Sequence, residues 1–129
     1  LVYAVDFDGT LCEDIYPEIG PPRQDVIDFI KAERDGGAKI ILWTCRCGRE
    51  LTATLEWCTA QGIVFDAIND NLRKNIERNG NNCRKVFADR YIDDRNFDIP
   101  TERREPQVTR YAMPGVRYLD EQGKEAPNI

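Results

Sequence analysis

Apolar residues along the chain fall into short blocks separated by glycine, proline and charge. Residues 1–5, Leu-Val-Tyr-Ala-Val, form a continuous apolar run with β-branched members, the pattern of a buried strand. Residues 9–22 contain Gly9, Pro17, Gly20, Pro21 and Pro22 and are expected to be loop. Over 24–34, Val26, Ile27 and Ile30 recur on one helical face, and Gly36-Gly37 stops a helix of about three turns. Residues 39–43 (Lys-Ile-Ile-Leu-Trp) predict a second buried strand. Leu51, Leu55 and Cys58 repeat the helical spacing over 49–61, which Gly62 closes. Residues 63–65 predict a third strand. The polar, Asn-rich run at 69–82 is expected to be a loop with one helical turn around 72–77. Residues 90–93 predict a fourth short strand, and after Arg95 the patterning fades. Val116 onward has the look of a hairpin turned at Gln122-Gly123.

Strand, helix, strand, helix, strand implies parallel pairing through right-handed crossovers, hence an open α/β sheet covered on both faces. The expected division is a core over 1–100 and a charged tail over 101–129. Ligands of such sheets bind beyond the carboxyl ends of the strands, where the strand order reverses.

Composition narrows the chemistry. A chain of 129 residues, 41% hydrophobic and 32% charged, suits one domain with a filled core. The absence of histidine excludes Ser-His-Asp and Cys-His machinery and histidine-bound zinc. Acid–base work must then fall to carboxylates, lysine, tyrosine or thiols. The net charge of -5 does not favour nucleic acid or an anionic membrane as partner. The opening apolar run stops at Asp6, so neither a signal peptide nor a membrane span is read here. Because the first residue is Leu rather than Met, the native N-terminus is expected to be trimmed or missing. Five cysteines, an odd number without Cys-x-x-Cys spacing, suggest free thiols in a reducing cytoplasm.

Polar, reactive residues gather where strands end. The first strand runs into Asp6-Phe-Asp8-Gly9-Thr10, the second into Thr44-Cys-Arg46, and the fourth into Asp93-Asp94. If the fourth strand lies beside the first, in an order of about 4-1-2-3, all converge on one edge. Taken singly, each has an ordinary structural explanation: a turn, an ST-turn, a helix cap. Together, Asp6, Asp8, Asp93 and Asp94 would repel one another unless a cation were present. Oxygen ligands without histidine or thiolate point to Mg²⁺.

Asp6-Phe-Asp8-Gly-Thr10-Leu, then Leu42-Trp-Thr44, then Tyr91-Ile-Asp-Asp94-Arg, resemble the motifs of the haloacid dehalogenase superfamily over roughly residues 2–97. Members are mostly Mg²⁺-dependent phosphatases with a Rossmann-like core. The resemblance implies Asp6 as the phosphoryl-accepting nucleophile and Asp8 as general acid/base. It further implies Thr44 and Lys85 as phosphate-binding groups, and Asp93 and Asp94 as metal acids. Lys74 competes with Lys85 for the lysine's role. A carboxylate nucleophile splits a hard displacement into two steps, and a second acid protonates the leaving alkoxide. Period-2 alternation would turn Asp6 and Asp8 to one side, although Gly9 interrupts it.

Members of this superfamily commonly carry a cap domain. Positions 9–43, between Asp8 and Thr44, and positions 45–84, between Thr44 and Lys85, are used up by the core elements, so a capless protein is expected. Walls would then come from a homo-oligomer, from a large substrate, or from the loop that holds Ile15, Tyr16, Pro17 and Ile19. Arg46 is read either as a ligand for a substrate phosphate or carboxylate or as a surface charge. Cys12, Cys45 and Cys47 are placed near the site mouth as ordinary small residues. The leading expectation is a phosphomonoesterase acting on a phosphorylated small molecule. The rivals are a receiver-like phosphoacceptor domain, with Asp66 as its acceptor, and a catalytically silent scaffold.

Overall fold

The computed structural model describes residues 1–96; the expected hairpin near Gln122-Gly123 and the rest of the tail lie outside the described residues. Strand β1 (Val2–Val5) leads to a hairpin of β2 (Cys12–Ile15) and β3 (Glu18–Pro22). Helix α1 (Gln24–Asp35), β4 (Lys39–Leu42) and α2 (Gly48–Ala60) follow. The described part ends with β5 (Ala67–Ile68), α3 (Arg73–Asn79) and β6 (Arg90–Ile92). This is an α/β fold with a four-stranded parallel sheet, Rossmann-like in character, and the sheet runs β5-β4-β1-β6. No described helix is long and apolar enough to cross a membrane.

Alternation along the strands builds two core layers. Tyr3 and Val5 of β1, with Ile40 and Leu42 of β4, face a cluster completed by Ile27 and Ile30 of α1 and Cys58 of α2. Ala4 and Ile41 face the opposite way and pack with Val86, flanked by Trp43, Leu72 and Ala88. The registers Val5↔Leu42 and Val5↔Ile92 bring the carboxyl ends of three strands level. Asp6, Thr44 and Asp93 follow directly from that alignment.

Three local expectations are corrected. The span 9–22, read as loop, contains the β2–β3 hairpin; its prolines sit at a turn and at an edge, where a missing N–H is tolerated. The third sheet strand is β5 at 67–68, not 63–65. Ile63 turns into the core after α2, while the Asp66 carboxylate takes the Ile40 N–H at 2.8 Å and sets where pairing begins. The polar run at 69–82 holds a full helix, α3, closed by Gly80 at φ +72°.

Candidate active site

Asp6 follows β1, and its backbone N–H donates to the Ile92 carbonyl at 2.9 Å, which locks it to the end of β6. Asp6, Asp93 and Asp94 each present a carboxylate oxygen, and these oxygens lie within 4.8 Å of one another. Partial burial pushes the Asp6 carboxyl up to about 7, and the neighbouring charges of Asp93 and Asp94 act in the same direction. Asp94 is seated by its N–H, which donates to the buried Thr10 hydroxyl at 3.0 Å. Its carboxylate lies against Gly9, where any Cβ would overlap it, and Gly9 has φ +82°. The backbone conformation favours glycine there, and any Cβ would also push the Asp94 carboxylate aside.

Asp8 stands apart from that trio. Its Oδ2 accepts from Arg46 Nε at 2.8 Å and its Oδ1 from Arg46 Nη2 at 2.7 Å, a bidentate pair. Arg46 is only 2% exposed, so neither sequence reading of it holds: it is not a surface charge and not free to meet a ligand. The metal set expected from sequence included Asp8. The structure gathers the other three acids and leaves the Asp8 carboxylate engaged with a guanidinium.

Thr44 lies just past β4. Its N–H donates to Asn69 Oδ1 at 2.8 Å, and its Oγ1 accepts from the Arg46 N–H at 3.1 Å. The hydroxyl proton of Thr44 therefore remains available to an incoming acceptor. Lys85 lines a cleft of roughly 280 Å³ together with Asp6, Asp93, Trp43, Tyr91 and Asn96. Its ammonium sits 5.7 Å from the centroid of the Tyr91 ring. Tyr91 is itself fixed by its hydroxyl, which donates to the Val86 carbonyl at 2.6 Å. Lys74 is exposed on α3 and does not line this cleft. Cys12 is buried, whereas Cys45 and Cys47 are exposed in the β4–α2 loop.

Two asparagines escaped the sequence reading. Asn69 adopts φ +50° at the end of β5 and aims its amide at Thr44. Asn71, 5% exposed, donates to Asn82 Oδ1 and to the Cys83 carbonyl, both at 2.8 Å, and accepts from the Phe87 N–H at 2.7 Å. It thereby pins both ends of the segment that carries Lys85. The signal was present as an unusual density of Asn, a residue that tolerates left-handed backbone and satisfies neighbouring peptide groups.

Neither a family model nor a curated protein matches the chain. A solved structure, described as the conserved protein coded by a locus from Bacteroides thetaiotaomicron, is 40% identical with a TM-score of 0.67. The match covers 77% of this chain and 80% of that one. At that identity and coverage, the chain belongs to the same family as this conserved Bacteroides thetaiotaomicron protein.

Proposed function

We propose that the protein is a Mg²⁺-dependent phosphomonoester hydrolase that works through an aspartyl-phosphate on Asp6. The observation that carries this reading is the trio Asp6, Asp93 and Asp94, with Asp6 and Asp93 lining one cleft with Lys85. The donor set is all oxygen, and among the described residues none of its carboxylates is in a salt bridge, which fits a hard divalent cation. Asp6, Asp93 and Asp94 would hold that ion. When bound, Mg²⁺ supplies positive charge against the acids and the phosphate.

The chain's own groups do the rest. The Asp6 carboxylate attacks phosphorus, the P–O bond to the leaving group breaks, and the leaving oxygen takes a proton from Asp8. Water then attacks the aspartyl-phosphate and gives a proton back to Asp8, and the P–O bond to Asp6 breaks, releasing phosphate and restoring both acids. The Thr44 hydroxyl and the Lys85 ammonium serve the non-bridging phosphate oxygens. We assign the protein to the haloacid dehalogenase superfamily on the same grounds, and take a phosphorylated small molecule as its substrate.

A receiver-like role fits less well. Asp66, the acceptor such a domain would need, spends its carboxylate on Arg34 at 3.2 Å and on the N–H of Ile40, the second residue of β4. Thr44 lies beyond the opposite end of that strand. The test is a panel of phosphate esters assayed with Mg²⁺ and with chelator. Phosphate release that stops on chelation and returns with Mg²⁺ is the expected result. No release from any ester, or release indifferent to chelation, would overturn the assignment.

A further inference from the structure

We propose that Arg46 is a positioning residue that fixes Asp8 and the tip of the β2–β3 hairpin as one unit. The hairpin's seating and the aim of the Asp8 carboxyl are then a single property. For its chemical consequence this rests on the phosphatase reading above.

The guanidinium has five N–H donors. Two grip Asp8 as a fork. Nη1 donates to the Pro17 carbonyl at 3.1 Å, and Nη2 also donates to the Glu18 carbonyl at 2.8 Å. Pro17 and Glu18 are the turn and the first residue of β3, so one buried side chain ties the hairpin tip to the segment after β1. Two aromatic rings lie close to it as well, with Cζ 5.1 Å from the Phe7 ring centroid and 5.0 Å from that of Tyr16. A planar fork with two carboxylate oxygens and two carbonyls as acceptors defines one orientation, which a lysine ammonium could not reproduce.

Both Asp8 oxygens are acceptors in this fork. Nη2 serves Asp8 Oδ1 and the Glu18 carbonyl at once, so the guanidinium cannot shift at one partner without shifting at the other. The aim of the Asp8 carboxyl is thereby linked to the hairpin tip, although no residue of the tip reacts.

Two measurements test the unit. Turnover of an alkyl phosphate and of nitrophenyl phosphate is compared in the parent, Arg46→Lys, Asp8→Asn and the double variant. Arg46→Lys should slow the alkyl ester by about tenfold or more and the nitrophenyl ester by under about threefold, because only the poor leaving group needs a well-aimed proton. The double variant should be no slower than Asp8→Asn alone, within about threefold. Equal losses on both esters, or losses that multiply, would overturn the positioning role. Independently, hydrogen exchange of the β2–β3 amides is followed in Asp8→Ala, which needs no substrate. Faster exchange in the hairpin with β1 unchanged is expected, and exchange at the parental rate would refute the coupling. Should the parent hydrolyse no ester, the phosphatase reading fails while hydrogen exchange still decides the unit.

Discussion

Asp6 and Asp8 stand two residues apart and occupy opposite electrostatic worlds. Partial burial, with two further carboxylates acting in the same direction, pushes the Asp6 carboxyl up to about 7. Asp8 has a buried guanidinium to itself, 2.7 Å away, in a side chain that also holds the hairpin. Among the described residues no basic side chain is within salt-bridge distance of the trio, whereas Asp8 is compensated by the fold. An uncompensated acid cluster lowers the stability of the empty protein and prepares it for a cation. A buried arginine in a bidentate ion pair adds a defined geometry more than net stability. The difference sets what each proposed role requires: a cation beside Asp6 would favour its ionised, attacking form, and Asp8 must give up an Arg46 hydrogen bond to carry a proton.

The comparison is broken most severely at Asp6. Asp6→Asn should cost at least about 10⁴-fold in turnover, since an amide cannot attack phosphorus. Retention of turnover within about tenfold would remove the covalent mechanism. Next comes the cation facing the uncompensated side. Lys85→Ala should cost on the order of 3 kcal/mol in transition-state stabilisation, the scale of one lost oxyanion donor. Lys74→Ala should be nearly silent because Lys74 lies off the cleft. The reverse ranking in kcat/KM would transfer the role to Lys74.

Much of the uncompensated side was legible in the sequence, and little of the compensated side was. Asp6, Thr44 and Asp93 follow apolar runs directly, and parallel strands of matched register bring such residues to one edge. Arg46 and Asp8 lie 38 positions apart, and nothing local distinguishes a buried arginine from a surface one. Its burial depends on a hairpin that proline and glycine content disguised as loop. The Lys85 segment was hidden differently, because its anchors are buried asparagines in a run whose composition reads as solvated. Periodicity reports which face a side chain takes, and it does not report polar groups buried against one another.

A third effect, on the order of 2 kcal/mol, concerns stability rather than rate. Asp6 binds its proton up to about pH 7 in the folded chain, against about 3.9 in an unfolded one. Between those values the folded state holds more protons than the unfolded state. Stability of the metal-free protein is therefore fully present below about pH 4, falls as pH rises towards 7, and levels off above it. The partial exposure of Asp6 keeps the effect below the full value of such a shift. Asp6→Asn should flatten the profile and unfold at higher temperature than the parent at pH 8, although it abolishes turnover. Saturating Mg²⁺ should raise the parent's Tm at pH 8 and leave the variant's nearly unchanged. A parent whose metal-free Tm rises between pH 5 and 7 would contradict the picture of uncompensated charge at Asp6.

The smallest effect sharpens the compensated side. Tyr16 is 59% exposed, yet its ring covers one face of the Arg46 guanidinium. Tyr16→Ala removes that face and leaves the fork to Asp8, both carbonyl contacts and the Phe7 ring in place. An exposed cation–π contact contributes about 0.5–1 kcal/mol, which in a domain of this size lowers Tm by roughly 4 °C. The same ring stands on the hairpin expected to rim the site, so KM should rise about two- to threefold with kcat unchanged, by loss of binding shared between ground and transition states. KM and kcat both at parental values across the ester panel would remove the hairpin from the substrate's rim. A Tm loss as large as that of Arg46→Lys would show that aromatic cover, rather than the buried fork, holds the hairpin down. Between those outcomes lies the expected one, in which the charge pair carries the geometry and Tyr16 trims it.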